Sequence, residues 1–173
     1  MPNLVLTASE KGMGSQKGRR PQDSMAEMTI VMMPTDANLQ GNVFGGTILN
    51  HVDLIAGLVA KRHAPYANVV TASIDRMIFV KPVYIGNALI LTARINYVGR
   101  SSMEVEVTVE AEDLEKGTRV TTGTAFVTMV ALDKNGKPVQ VPALIVEGEE
   151  DRKRFEEGKS RMQARLEAAG RRT

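Results

Sequence analysis

Residues 41–64, GNVFGGTILNHVDLIAGLVAKRHA, pass from a glycine-rich turn into a helical pattern, and their reading decides the fold. Ile48, Leu49, Val52, Ile55, Ala56, Val59 and Ala60 recur at three- and four-residue spacing and fill a broad face, which predicts a buried helix rather than one lying on the surface. It ends near His63 and Ala64, because Pro65 disfavours helical geometry in the residue before it. The approach, residues 34–46 (PTDANLQGNVFGG), is rich in turn formers, and the short apolar run Met28–Met33 before it predicts a first strand stopped by Pro34.

Beyond Pro65 the period changes from the helical one to alternation. Residues 68–80, 88–98, 103–111 and 119–132 are rich in Val, Ile and Thr and read as four successive strands. The connections between them are short, which favours antiparallel neighbours over crossover helices. The alternation is clearest where Met103, Val105, Val107 and Val109 interleave with Glu104, Glu106, Thr108 and Glu110, predicting one buried and one solvated face. One helix packed on an antiparallel sheet, an α+β domain, follows. Residues 8–24 are polar, rich in Gly, Lys and Arg and without hydrophobic period, and residues 1–24 are expected to form a mobile basic leader. Residues 25–148 then form the domain, and residues 149–173 a charged C-terminal helix whose acidic start and basic end suit the helix dipole.

The 173 residues, with 43% hydrophobic and 24% charged, suit one globular domain. No cysteine is present, which excludes disulfides, thiolate metal sites and a cysteine nucleophile and fits a reducing, cytoplasmic setting. No apolar stretch is long enough to span a bilayer, so no membrane insertion is expected. The basic excess lies in the two tails, and with 4% aromatics and no Trp the platforms for stacking nucleic-acid bases are scarce, so no nucleic-acid partner is expected. There is no Gly-x-Ser-x-Gly turn for a serine nucleophile, and His51 and His63 are the only histidines. Gly41–Thr47 approaches a phosphate loop but lacks its lysine, and no metal-ligand spacing occurs.

What remains is Asp53, a carboxylate in the middle of an apolar helix. It either marks the helix's solvent-facing edge or is a base placed against a cleft. Gly45 and Gly46 at the helix start leave backbone N–H groups free to stabilise an oxyanion at a carbonyl carbon, a combination suited to acyl hydrolysis. From spacing alone, Asn42 serves as cap or ligand about as well as Asn38.

The string Met33 to Gly46, then Val52-Asp53-x-x-Ala56, Val70-Thr-Ala-Ser-Ile-Asp75, Phe79-x-x-Pro82, Val98-Gly-Arg-Ser-Ser-Met103 and Phe126-x-x-x-Val130-Ala-Leu-Asp133 resembles the hot-dog-fold acyl-CoA thioesterases over residues 28–142. The branch it resembles contains the bacterial YciA-type enzymes and the cytosolic long-chain acyl-CoA hydrolases of animals; Arg154 to Arg161 is similar to the latter. The resemblance implies a long central helix wrapped by a curved antiparallel sheet of about five or six strands. It also implies dimers with the active sites at their interface, often three to a hexamer. A helix carboxylate and a loop asparagine from opposite subunits map onto Asp53 and Asn38, with Gly45 and Gly46 as oxyanion donors. Phe44, beside them, is expected to line the acyl path with Met77, Ile78 and Phe79, and Asn42 stands second to Asn38. The turn Gly99-Arg100-Ser101-Ser102 resembles the segment that meets CoA, with Arg62 and Lys81 as weaker phosphate contacts. No cofactor is needed; CoA is part of the substrate. A hot-dog protein that binds acyl-CoA without cleaving it is the alternative. A hydroxyacyl dehydratase fits less well, since such enzymes use a histidine where this chain has neither His51 nor His63.

Overall fold

The computed structural model describes residues 4–6 and 17–170. In chain order the strands and helices are β1 (Leu4–Leu6), β2 (Ala26–Val31), α1 (Gly45–His63), β3 (Asn68–Phe79), β4 (Ala88–Val98), β5 (Ser102–Asp113), β6 (Thr118–Leu132), β7 (Leu144–Val146) and α2 (Gly148–Ala168). Five strands form one sheet in the order β2-β4-β5-β6-β3, every neighbouring pair antiparallel. β1 and β7 make a separate two-stranded sheet.

The apolar face of α1 buries Ile48, Val52, Ile55, Ala56, Val59 and Ala60 against the inner face of the sheet, as its spacing predicted, while Leu49 of the expected face is only half-buried. Each fully buried Val or Ile there contributes about 1.5–3 kcal/mol relative to exposure. Leu89, Leu91 and Ile95 of β4, Val105 and Val107 of β5 and Val127 of β6 complete this core. The long helix under a five-stranded antiparallel sheet is the architecture that the resemblance implied.

The outer face of the sheet departs from the sequence reading. The Glu104 and Glu106 side of β5, expected in solvent, is covered by α2, and Glu104 is 3% exposed. Two carboxylates tolerate this because α2 brings a cation to each. Arg161 grips Glu104 with two bonds of 3.0 and 2.7 Å, and Arg154 reaches Glu106 at 2.6 Å. Tyr97 and Phe155, ring centroids 5.0 Å apart, supply the apolar part of this contact.

The leader also departs from expectation over residues 4–6, which form β1 and pair with β7, and over residues 17–24. Arg19 bridges Leu144 on the side of β7 opposite β1, Pro21–Asp23 form a 3-10 turn, and Pro21 and Ser24 are buried. The short β7, whose three residues carry no readable period, is the strand on which this segment is fastened. The rest of the expected leader, residues 1–3 and 7–16, and the chain end at 171–173 lie outside the described residues.

Candidate active site

Helix α1 begins at Gly45 with Phe44 as its N-cap and no side-chain cap, so Asn42 does not cap the helix. The carbonyl of Phe44 accepts from the N–H of Thr47 at 2.9 Å, while the N–H groups of Gly45 and Gly46 have no acceptor among the described residues. Two free donors at a helix start form a ready site for a developing negative charge. The Phe44 ring lies against Gly46: a Cβ built on Gly46 would come within 2.4 Å of the ring, so a side chain there would displace this exposed ring. Phe79 closes the other side, 3.7 Å from a Cβ built on Gly45.

Asn38 organises the loop before the helix. Its side-chain oxygen accepts from the N–H of Gln40 at 2.9 Å and of Asn42 at 3.1 Å, and its own N–H donates to the Asn42 carbonyl at 2.7 Å. The carboxamide oxygen is thereby committed to the loop, while the Nδ2 group has no acceptor among the described residues. Leu39 beside it is fully exposed.

Asp53 lies half-buried on the flank of α1 that faces β3. Thr71 of β3 donates its hydroxyl to Asp53 Oδ1 at 2.6 Å, and Oδ2 has no hydrogen bond among the described residues. A carboxylate held by one oxygen with the other open can accept a proton in a fixed direction. Thr71 was not singled out in the sequence, because its inward aim depends on an irregularity of its strand. Ala72 and Asp75 have no partner on β6: they are the extra residues of two bulges, between Thr71 and Ser73 and between Ile74 and Arg76.

The remaining candidates divide by position. Ser102 pairs with Val130, which pairs with Val70, so the Gly99–Ser102 turn lies two strands from Thr71, across β6, at about the same level of the sheet. Arg100 is exposed there, and its carbonyl and that of Ser101 fasten the turn to Val141 and Ala131. Lys81 lies beyond the opposite end of β3, exposed, among Pro82, Tyr84 and Asn87. Arg62 is used structurally, donating to the Met25 carbonyl at 2.8 Å. His63 is buried at the far end of α1 and His51 lies on another flank from Asp53. No hydrogen bond joins Asn38 and Asp53 among the described residues, and Asp53 is seven residues beyond Gly46, about 10 Å along the helix axis at 1.5 Å per residue.

The family model described as the thioesterase superfamily matches residues 40–118, from the Asn38 loop's end through α1 into the β5–β6 turn. The acyl-CoA thioester hydrolase YkhA of Bacillus subtilis is 41% identical over 130 residues, 75% of each chain. This chain belongs to the thioesterase superfamily. A crystal structure of an apo-hexameric acyl-CoA thioesterase superposes with a TM-score of 0.84 and 38% identity, covering 91% of this chain and all of that one, so the fold is the hot-dog fold. The cytosolic acyl coenzyme A thioester hydrolase of Rattus norvegicus is 38% identical over 140 residues, 80% of this chain. Those residues make up 36% of the rat protein, so the chain spans about a third of its length. No helix among the described residues is long and apolar enough to cross a membrane.

Proposed function

We propose that this thioesterase-superfamily protein hydrolyses fatty acyl-CoA to free fatty acid and CoA, with Asp53 as the general base. The observation that carries the reading is the 2.6 Å bond from Thr71 to one oxygen of a half-buried helix carboxylate whose other oxygen is open. Asp53 takes a proton from water as the water oxygen bonds to the thioester carbonyl carbon. The oxyanion that forms is held by the N–H groups of Gly45 and Gly46, and Asn38 Nδ2 orients the water. Collapse breaks the carbon–sulfur bond, and the CoA thiolate leaves with the proton Asp53 had taken. The reaction balances without a cofactor.

Asn38 and Asp53 act together if a two-fold partner brings its own loop beside the helix. Leu54 and Leu58 on α1 and Val70 and Ile74 on the edge strand β3 are exposed apolar side chains that a second copy would cover. The hexameric thioesterase structure supports a hexamer as the full assembly, which on this reading is three such dimers. Arg100, Ser101 and Ser102 supply phosphate and amide contacts for CoA, and Phe44 and Phe79 border the acyl path. A cytoplasmic setting agrees with the naming of the rat relative.

The test is thiol release from acyl-CoAs of graded chain length by the wild type and Asp53→Asn. The variant keeps the shape of the side chain and removes the base, so turnover falls by about 100-fold or more. Equal activity in the two would make Asp53 structural. Binding of acyl-CoA by the wild type without cleavage of any member would replace the enzyme with a ligand sensor.

A further inference from the structure

The two bulges of β3 are locked from the outer face of the sheet. In an unbroken strand Thr71, Ser73 and Asp75 would project from one face, since side chains alternate with period two. Here they do not. Thr71 points inward to Asp53 of α1, opposite Met129, while Ser73 pairs opposite Thr128 and points outward with Asp75. The extra residue Ala72 makes this reversal, and Asp75, itself the extra residue of the second bulge, is the hub of a polar cluster beneath α2. Its Oδ1 accepts from the Ser73 hydroxyl at 2.6 Å; its Oδ2 accepts from Thr128 at 3.2 Å and from Arg165 of α2 at 2.7 Å. Arg165 also donates to the Thr128 hydroxyl, so one guanidinium ties β3 to β6 at the bulge. The Arg165 and Asp75 side chains are 26% and 20% exposed, well enough shielded for the pair to hold a geometry.

We infer that Arg165, acting through Asp75, is a positioning residue for hydrolysis: it fixes the bulged register of β3 that aims the Thr71 hydroxyl at Asp53. The inference rests on Asp53 being the base, as proposed above. A slip of β3 by one residue would turn Thr71 away from α1, because register and facing are the same variable in a strand. β3 is also an edge strand, with β6 alone to hold it in this chain, so its register needs a lock that an interior strand does not.

The experiment measures steady-state thiol release by Arg165→Met, Thr71→Val and the double variant, with thermal melting to confirm folding. Arg165→Met is expected to lower kcat roughly 10-fold with KM within about twofold, the signature of lost alignment rather than lost binding. Arg165→Lys, which can still donate one bond to Asp75, recovers part of the loss. In the Thr71→Val background Arg165→Met has no further effect, because the hydroxyl it positions is gone. Effects of the two substitutions that multiply, or an unchanged kcat in Arg165→Met, would overturn the inference. If Arg165→Met does not fold, Asp75→Asn, which keeps one accepting oxygen for Arg165 and Thr128 but removes the charge and the second acceptor, undergoes the same comparison. Asp53→Asn run alongside separates the two failures: full activity there sinks the general-base reading, whereas loss there with an unaffected Arg165→Met sinks the lock alone.

Discussion

His63 closes α1 with a ring that is fully buried, its Nε2 3.0 Å from the Pro142 carbonyl oxygen. A carbonyl can only accept, so the ring proton is on Nε2, and the buried Nδ1 stays an unpaired acceptor. Burial holds the imidazole below its ordinary pKa, the Pro142 bond opposing that shift in part. The folded state thus binds the proton less readily than the unfolded chain, which takes it up near pH 6.5. Stability from His63 is complete above that value and is lost as pH falls through it toward the lowered folded value. The melting temperature is therefore expected to fall between pH 7.5 and 5, and the fall to flatten in His63→Gln, where His51 remains the one other histidine. An equal slope in the variant would place the pH dependence elsewhere. Among residues, Asp53 was legible because a charge interrupting an apolar helical face is a contradiction visible in one dimension. Thr71 was not, because its aim at α1 depends on the bulge that follows it, and a bulge leaves no mark on the alternation of a strand already mixed in Val, Thr, Ser and Ile.

The elements show the same division. The helix and the four long strands were readable from period and composition, although β4 is buried on both faces and β3 carries no fully buried residue. What period does not carry is the occupant of a strand's second face. The carboxylates of β5 have the same spacing whether water or the arginines of α2 stand over them. The fit of α2 is tightest at Gly158, where a built Cβ lies 2.8 Å from Tyr97 Cβ and 2.9 Å from Glu104 Oε1. In an exposed helix Gly→Ala gains about 1 kcal/mol of propensity. At Gly158 the crowding of a stiff backbone-proximal atom outweighs this, and Gly158→Ala is expected to destabilise by about 1–3 kcal/mol in denaturant unfolding. A stabilised variant would mean that α2 has room to lift from the sheet. Phe155, three residues before Gly158, packs its ring against Tyr97 beside this contact.

At the scale of the whole molecule, the proposed function has a single chain hold the parts of the site without closing it. The Asn38 loop and the Gly45 donors lie at one end of α1, Asp53 two turns along, and the exposed leucines of α1 and the open edge of β3 mark where a second copy would complete the arrangement. The spacing of the residues supplies the members of that set, whereas their pairing across a two-fold axis came only from the resemblance, because a shared site is a property of an assembly and not of one chain's periodicity. The pairing has a consequence that a single-chain site cannot imitate. Asp53→Asn and Asn38→Ala are each expected to be inactive as pure proteins. Co-expressed in equal amounts, they form mixed dimers for about half the population, and each mixed dimer contains one site with both defects and one with none. Activity should return to about a quarter of the wild-type value, since half the dimers regain one of their two sites. A site built within one chain would leave every protomer carrying a defect of its own, and the co-expressed pair would be as inactive as its parents; thiol release from the purified mixture decides between the two.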